Sequence, residues 1–247
     1  MQTDGCNYRK KGPNKILKKR QKLSFGEFLP RWAILPLLSI FLLNCLIYWG
    51  SGVLTAGRYH YDFTMEIDRA VPLIPGFVWI YVLAFPFWAV NYILSAQKGK
   101  DAFYRFVATD LTVHMICFVL FLLVPTTNVR PEIPGDSFSE ELLKLIYLLD
   151  GGNSPSNLFP SIHCYVSWLS WRGQKDSGKI PKWYQNFSLI FALLVIISTQ
   201  VLKQHYLVDA IAGVVLVEAA WRFFKKGNRH GKIKDLFEKV NRKVWKR

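Results

Sequence analysis

Long apolar runs constrain this chain more than any other feature of its sequence. A transmembrane helix needs about 20 consecutive, mostly apolar residues. Five runs approach this length: Trp32–Gly50, Gly76–Ala96, Phe106–Pro125, Asn186–Leu202 and Tyr206–Phe224. A sixth, shorter run around Leu158–Trp171 is interrupted by Ser161, His163, Ser167 and Ser170. The sequence therefore predicts an all-α, polytopic membrane helix bundle.

The basic residues are distributed unevenly between the segments that join these runs. The chain has 32 Lys and Arg and a net charge of +15, which in a soluble domain would suggest nucleic acid. With 51% hydrophobic residues, it instead suggests a membrane protein without a nucleic-acid partner. If all six runs span the membrane, all but five of the basic residues lie on the side of the termini. The exceptions are Arg58, Arg69, Arg130, Lys144 and Lys203. The positive-inside rule then places both termini in the cytoplasm.

The chain divides into one membrane domain and two basic tails. We expect residues 1–31 to form a basic cytoplasmic tail, residues 32–224 the six-span domain, and residues 225–247 a basic amphipathic cytoplasmic tail. The second tail carries Ile233, Leu236, Phe237, Val240 and Val244 at helical spacing. This pattern is typical of a helix on the membrane surface, although a solvated tail that only sets topology is an equal alternative. The longest outer loop has a further amphipathic stretch near Ser139–Leu149.

Ionisable residues cluster at the predicted outer ends of the spans, where burial is costly and function is the default explanation. Arg130 follows the third span, His163 opens the fourth, and the run from Ser198 to Asp209 joins the fifth to the sixth. If the sixth helix begins near His205, Asp209 lies on the same face at i+4. A carboxylate bound to one imidazole nitrogen fixes the tautomer and leaves the other nitrogen as a nucleophile or base.

The remaining residues of this cluster suit a phosphate. Ser161 would lie at a helix start, where backbone N–H groups favour a phosphate oxygen, and the planar fork of Arg130 matches phosphate geometry. His163 could protonate a leaving alkoxide. A zinc site formed by His163, His205 and Asp209 is an alternative, but it lacks a clear fourth ligand, so we predict no metal.

A second polar group lies in the inner half of the bundle. Asp110 and His114 form another i, i+4 pair, and Glu218 is predicted at a similar depth. They form either a proton relay, which would favour a transporter, or a structural polar cluster between helices.

The outer constellation resembles the type 2 phosphatidic acid phosphatase superfamily of lipid phosphate phosphatases, and within it the branch of the inositol phosphorylceramide synthases. The family motifs are Lys-x6-Arg-Pro, Pro-Ser-Gly-His and Ser-Arg-x5-His-x3-Asp. The chain matches them with Arg130-Pro131, with Pro160, Ser161 and His163, and with Ser198, His205 and Asp209. It departs from them at Leu123, Ile162 and Thr199, so two of the family's cations are absent.

The resemblance implies a role for each site residue. His205 would be the nucleophile that forms a phosphohistidine, Asp209 would orient it, and His163 would protonate the leaving group. Arg130 and Ser161 would hold the phosphoryl oxygens, and we add Ser198, Thr199 and Lys203 as further candidates for phosphate binding. No metal or organic cofactor is implied.

These interpretations predict a metal-independent lipid phosphatase in the cell membrane, with its active site on the outer side. Its substrate would be a phospholipid or an isoprenyl phosphate, cleaved at a phosphomonoester or a diphosphate. One alternative is a lipid headgroup phosphotransferase, in which an alcohol replaces water. The other is a transporter or scaffold that has kept the fold without the chemistry.

Overall fold

The computed structural model of the protein describes residues 29–152 and 155–245. The predicted tail of residues 1–31, including Cys6, therefore lies almost wholly outside the described residues. Cys45, Cys117 and Cys164 are free thiols.

Helices dominate the described part of the chain, as predicted. The helices are α1 (Arg31–Thr55), α2 (Glu66–Ala70), α3 (Val78–Gln97), α4 (Lys100–Leu123), α5 (Phe138–Leu149), α6 (Ile162–Gln174), α7 (Lys182–Val201), α8 (Leu207–Lys225) and α9 (Gly231–Val244). A 3-10 turn at Pro75–Phe77 leads into α3. Two short strands, β1 (Tyr61–Asp62) and β2 (Thr126–Thr127), pair in parallel and join two of the loops.

Four helical segments are long and apolar enough to cross a membrane. They are Arg31–Thr55, Pro75–Gln97, Lys100–Leu123 and Lys182–Val201. Large apolar side chains on their outer surfaces are exposed, among them Phe41, Leu46 and Trp49 of α1. Such a surface fits a lipid environment rather than water. The all-α membrane bundle agrees with the sequence. That six helices span the membrane, and that both termini lie on its cytoplasmic side, stay predictions.

Helix α6 is short and lies at the centre of the bundle. Its 13 residues extend about 20 Å, which is less than the thickness of a bilayer core. It packs against α3, α4, α7 and α8, and most of its side chains are buried. Its serines therefore face protein, and the Oγ of Ser167 accepts a hydrogen bond of 2.8 Å from Trp88 Nε1. This environment explains why the fourth run is less apolar than the others.

Gly213 allows α8 to approach the start of α6. A Cβ atom at this position would lie 3.0 Å from the carbonyl oxygen of Ser161 and 3.2 Å from the backbone nitrogen of Tyr165. The backbone N–H of Ser161 donates a hydrogen bond of 3.2 Å to the carbonyl of Asp209. The first turns of α6 and α8 are therefore in direct contact, which brings two of the three sequence motifs together.

Both predicted amphipathic stretches form helices. Helix α5 begins at the capping box of Ser137 and Glu140 and packs against the 3-10 turn before α3. Helix α9 packs against α1 and α4, where Ile233 and Phe237 contact the apolar core. Its other apolar residues, Leu236, Val240 and Val244, remain exposed.

The inner polar residues belong to two separate clusters. Asp110 Oδ2 lies 3.3 Å from His114 Nδ1, and Asp110 Oδ1 accepts a hydrogen bond of 2.8 Å from the hydroxyl of Tyr92. His114 Nε2 lies 3.1 Å from Asn44 Oδ1 in α1. Glu218 instead contacts Trp168 Nε1 and the guanidinium of Arg172, both at 3.1 Å. These contacts join neighbouring helices, which favours the structural interpretation of both clusters.

Candidate active site

His205 lies in the tight turn that separates α7 from α8. Lys203 adopts a left-handed backbone conformation with φ 54°, and the backbone N–H groups of Gln204 and His205 donate to the carbonyl of Thr199. His205 Nδ1 lies 3.1 Å from the carbonyl oxygen of Leu158 and 3.4 Å from Asp209 Oδ2. Because both neighbours of Nδ1 are acceptors, we assign the proton to Nδ1, which leaves the lone pair on Nε2.

The surroundings of His205 keep its imidazole neutral. Burial and, second, the guanidinium of Arg130 lower the pKa of His205 to about 3, whereas the backbone carbonyl of Leu158 opposes the shift. At neutral pH the ring therefore carries no charge and offers an unprotonated nitrogen. This is the form that a nucleophile requires.

Asp209 is fixed by the start of α8. Its side chain is fully buried in the first turn of the helix, where Oδ2 accepts a hydrogen bond of 3.0 Å from the backbone N–H of Tyr206. The same oxygen is the one that faces His205 Nδ1. The i, i+4 spacing predicted from the sequence thus places the carboxylate on the imidazole, although the helix begins two residues after His205.

His163 faces His205 from the first turn of α6. The two ring centroids are 6.0 Å apart, and the ring of His163 stacks on Tyr81 at 4.4 Å. Phe85 and Trp88 also contact this ring. Its Nε2 atom is buried and has no hydrogen-bond partner among residues 29–152 and 155–245. A buried polar atom without a partner is costly, so a ligand oxygen at this position would stabilise it.

Two cavities meet at His205. The cavity of about 290 Å³ also contacts His163, and we call it the apolar cavity. Most of its lining is apolar, including Tyr81, Phe85, Trp88, Ile146 and Ile162, although Asn44, Asp150, Ser156 and Asn157 also contribute. The second cavity, of about 530 Å³, we call the polar cavity. Its charged and amide lining residues are Asp62, Asp68, Arg69, Asn128, Arg130, Gln200 and Lys203, beside the apolar Val71, Val129 and Pro131. The imidazole of His205 therefore lies between a space suited to hydrocarbon and a space suited to polar groups.

Arg130 lies beside this turn, but its guanidinium is occupied by protein groups. Nη1 donates to the carbonyl oxygens of Tyr147, Asp150 and Gly152, at 3.0 to 3.3 Å. Nη2 contacts the carboxylate of Asp150 at 2.5 Å and Gln204 Oε1 at 2.6 Å. These contacts tie the end of α5 to the residue before His205. Phosphate binding by Arg130 stays a prediction, and the structure adds a role in holding this turn.

The predicted hydroxyl ligands contact their own helices. Ser161 caps α6, where its Oγ accepts a hydrogen bond of 3.2 Å from the backbone N–H of Cys164. The hydroxyls of Ser198 and Thr199 donate to the carbonyls of Val195 and Ile196, both at 2.7 Å. Serine and threonine in helices commonly form such local hydrogen bonds.

Lys203 contacts the segment between α1 and α3 rather than the histidines. Its ammonium group donates to the carbonyl of Asp68 at 2.6 Å and to that of Val71. The break between α7 and α8 gives this side chain freedom to turn, and it turns into the wall of the polar cavity. In this arrangement it is not a direct neighbour of the imidazole of His205.

Sequence reasoning missed the contacts between the segment that joins α1 to α3 and the start of α8. The hydroxyl of Tyr206 donates to Asp62 Oδ1 at 2.6 Å, and the backbone N–H of Leu207 donates to Asp68 Oδ1 at 2.8 Å. Acidic residues were visible in this loop, but nothing in their spacing identifies a partner about 140 residues away. The contact of Gln204 with Arg130 is likewise invisible in the sequence.

A zinc site formed by His163, His205 and Asp209 was the alternative considered for this cluster, and the absence of a metal stays a prediction. Within the described residues, no group of three or more His, Cys, Asp and Glu side chains is arranged to hold a metal ion. This finding includes His163, His205 and Asp209, the three residues considered for zinc.

Comparison with known proteins gives one match. A family model described as the PAP2 superfamily matches residues 69–223, which is more than half of the chain. The matched region contains all of the predicted site residues, from Arg130 to Asp209. Among curated proteins and solved structures, none matches the chain.

Proposed function

Because the chain belongs to the PAP2 superfamily, whose members are generally phosphatases or phosphotransferases, we propose that it is an integral-membrane lipid phosphatase. The proposed reaction cleaves a phosphomonoester or a diphosphate of a lipid through a phosphohistidine. The arrangement of the two histidines is the observation that carries the proposal. Nδ1 of His205 is held by the carbonyl of Leu158, so Nε2 carries the lone pair. The ring of His163 faces this imidazole, and its own Nε2 has no hydrogen-bond partner within the described residues.

The first proposed step transfers the phosphoryl group to the protein. The hydrocarbon of the lipid occupies the apolar cavity, which places its phosphate between the two imidazoles. Nε2 of His205 attacks phosphorus and forms a P–N bond while the P–O bond to the lipid breaks. His163, protonated beside the bound phosphate, donates its proton to the leaving oxygen. The buried carboxylate of Asp209 stabilises the positive charge that develops on His205.

The second proposed step regenerates the enzyme. Water enters through the polar cavity, and His163, now neutral, accepts a proton from it. The resulting oxygen nucleophile attacks phosphorus, the P–N bond breaks, and inorganic phosphate leaves. The proton on Nδ1 stays in place in both steps because Leu158 and Asp209 accept from it.

We place the site on the side of the membrane opposite the termini, in the cell membrane. The distribution of basic residues supports this orientation, since the segments that carry the three motifs have few of them.

The test is a hydrolysis assay on the purified protein with a panel of lipid monophosphates and diphosphates. We expect release of inorganic phosphate, which His205→Asn abolishes. The matched control is His60→Asn, since His60 is an exposed histidine in the segment between α1 and α2. A short pulse with labelled substrate should yield an acid-labile, base-stable phosphoprotein. Full activity of the His205→Asn protein would contradict the proposal.

The presence of two cavities favours a second candidate function, a lipid headgroup phosphotransferase. In this reaction an alcohol in place of water would attack the phosphohistidine. The guanidinium of Arg130 is paired with the carboxylate of Asp150, which leaves less positive charge for a doubly charged monoester. Transfer of a headgroup between two lipids without release of phosphate would select this candidate over the phosphatase.

A further inference from the structure

A cavity of about 470 Å³ lies between the start of α1 and the end of α9, far in sequence from the candidate active site. We call it the terminal cavity. It is lined by Arg31, Trp32, Lys100, Glu238, Arg242 and Trp245, together with Asn241. All of these residues except Lys100 lie outside residues 69–223, the region that matches the superfamily. The cavity is therefore a feature of this chain's two ends.

Hydrogen bonds and ring contacts fix the wall of the terminal cavity. Asn241 is 7% exposed, its Nδ2 donates a hydrogen bond of 2.9 Å to the carbonyl of Trp32, and its Oδ1 accepts one of 3.1 Å from Trp245 Nε1. One turn earlier in α9, the ring of Phe237 stacks on Tyr104 of α4. These contacts hold α9 against the bundle and position its last turn beside the first turn of α1.

The charges that line the cavity do not balance. Lys100 and Glu238 form an ion pair at 3.1 Å. Arg31 and Arg242 have no acidic partner within residues 29–152 and 155–245. Their planar guanidinium groups match the oxygens of a phosphate, and neither has to leave a protein contact to bind one. Within the part of the chain that the structure describes, the cavity thus presents two arginines without an acidic partner, and its lining also includes two indole rings.

The exposed side of α9 indicates where this cavity lies relative to a bilayer. Leu236, Val240 and Val244 are exposed along one edge of the helix, and Lys239 and Lys243 lie beside them. An apolar edge flanked by lysines is typical of a helix that lies in the interface, with its apolar side in the acyl region. Tryptophan side chains are enriched at the same depth. The terminal cavity would then open at the level of the phosphates.

We propose that the terminal cavity binds the headgroup of an anionic phospholipid in the leaflet that faces the termini. The phosphate contacts Arg31 and Arg242, the two indoles enclose the glycerol region, and the acyl chains pass along the exposed edge of α9. The cationic segments on this side of the protein attract such lipids from the surrounding leaflet. This site is independent of the proposed catalytic function.

The test uses the fluorescence of Trp245 as a local probe. The protein is placed in nanodiscs that contain brominated phosphatidylglycerol or brominated phosphatidylcholine at equal, low mole fraction. The signal of Trp245 is the difference between the wild type and Trp245→Phe. We expect much stronger quenching by the anionic lipid. In the double variant Arg31→Gln/Arg242→Gln, the anionic preference should fall by about tenfold for each arginine removed, because each loses a charged hydrogen bond to the phosphate.

The matched control is the double variant Lys239→Gln/Lys243→Gln. It removes the same charge from exposed positions of α9 that do not line the cavity, so it should change the preference less than twofold. If both double variants lose the same amount of anionic preference, the protein attracts anionic lipid only by its general charge, and the proposed site is wrong. Equal quenching by the two lipids would also overturn the proposal.

Two further arms test the occupant. Addition of millimolar glycerol 3-phosphate should leave the quenching unchanged, because the proposed ligand is a lipid held in the leaflet. Loss of quenching would assign the cavity to a soluble phosphate instead. Deletion of residues 1–28 should also leave it unchanged. Quenching that develops only after this deletion would show that the chain's own first segment fills the cavity.

Discussion

At the scale of single residues, the site depends on which nitrogen of His205 carries the proton. The carbonyl of Leu158 and the carboxylate of Asp209 both face Nδ1, and they come from different elements of the fold. A second acceptor makes the tautomer less dependent on the carboxylate alone. The neutral ring with a free Nε2 is therefore the state in which the protein presents this histidine to a ligand.

The neutral state of His205 predicts a dependence of stability on pH. Its pKa is about 3 in the folded protein, against an ordinary value of 6.5. Between these values the unfolded chain binds a proton that the folded protein does not. The free energy of unfolding should thus fall as pH decreases below 6.5, by up to about 1.4 kcal/mol for each pH unit. His205→Gln should remove this contribution, which thermal unfolding in detergent at mildly acidic and neutral pH will measure.

The control for this prediction is His60→Gln. His60 is exposed in the segment between α1 and α2, so its replacement should leave the dependence of the wild type unchanged. Identical curves for the wild type and His205→Gln would mean that the imidazole is already charged in the folded protein.

Arg130 gives a second prediction at this scale. Its guanidinium contacts five protein oxygens, and a lysine has only three N–H groups. Arg130→Lys should leave buried acceptors unpaired and lower the free energy of unfolding by about 2–4 kcal/mol. Since the turn that carries His205 would loosen, kcat for phosphate release should fall while KM changes little.

The conservative control is Arg222→Lys, at a position where the arginine side chain is 76% exposed. It should change neither stability nor kcat. A rise in KM at unchanged kcat and stability in Arg130→Lys would instead identify Arg130 as a phosphate ligand with no part in holding the turn.

The sequence predicts some residue contacts and is silent on others for a physical reason. The pairing of His205 with Asp209 follows from helical geometry, which depends only on spacing. The partners of Arg130 are mainly backbone carbonyls at the end of α5, and every residue has such a carbonyl, so no side-chain pattern marks them. The direction of Lys203 depends on a left-handed residue in a turn, which its amino-acid type does not indicate.

At the scale of elements, the close contact of α6 with α8 determines whether the two halves of the site meet. His163 comes with the first turn of α6, and Asp209 with the first turn of α8. Gly213 lies one turn further along α8, where any side chain would meet the backbone of Ser161 and Tyr165. The contact therefore depends on a residue that takes no part in the chemistry.

Gly213→Ala should separate the two helices. The added Cβ would lie 3.0 Å from a backbone oxygen that cannot rotate away, so we expect loss of stability by about 1–3 kcal/mol. The rate of phosphate release should fall by more than the loss of folded protein explains, because the distance between His163 and His205 increases. Rates of phosphate release and melting temperatures measure the two effects separately.

Gly50→Ala is the control, since a Cβ at Gly50 in α1 meets no atom within 4 Å. In a helix interior this change should be neutral or stabilising, by up to about 1 kcal/mol. Equal behaviour of the two alanine variants would show that α6 and α8 tolerate a wider separation.

The long helices were largely predictable, whereas α2 and the two strands were not, and α6 is an informative case. Apolar length and period predicted α1, α3, α4, α7, α8 and the two amphipathic helices, because exposure to lipid requires an apolar surface. Helix α6 carries serines and only 13 residues, since neighbouring helices and not lipid surround it. Burial inside protein removes the compositional signal on which the prediction of a span depends.

At the scale of the whole molecule, the histidine site and the terminal cavity differ in the number of basic residues that surround them. The histidine site is in segments with few basic residues, and the terminal cavity is among the most basic segments. If the positive-inside rule holds, a lipid substrate reaches His205 from one leaflet and an anionic lipid contacts Arg31 and Arg242 from the other. The two sites could then respond to different lipid populations.

An even number of spans is the condition for this arrangement, and cysteine labelling tests it. In a background with Cys45, Cys117 and Cys164 replaced by alanine, the native Cys6 reports the first tail. With Cys6 replaced as well, the single variants His60→Cys and Lys239→Cys report the segment between α1 and α2 and helix α9. With six spans, a membrane-impermeant maleimide should label His60→Cys in intact cells and should reach Cys6 and Lys239→Cys only after permeabilisation. With five spans, Cys6 and Lys239→Cys would lie on opposite sides and label under different conditions. That outcome would place α6 within one half of the membrane, and the terminal cavity, which joins α1 to α9, could not exist.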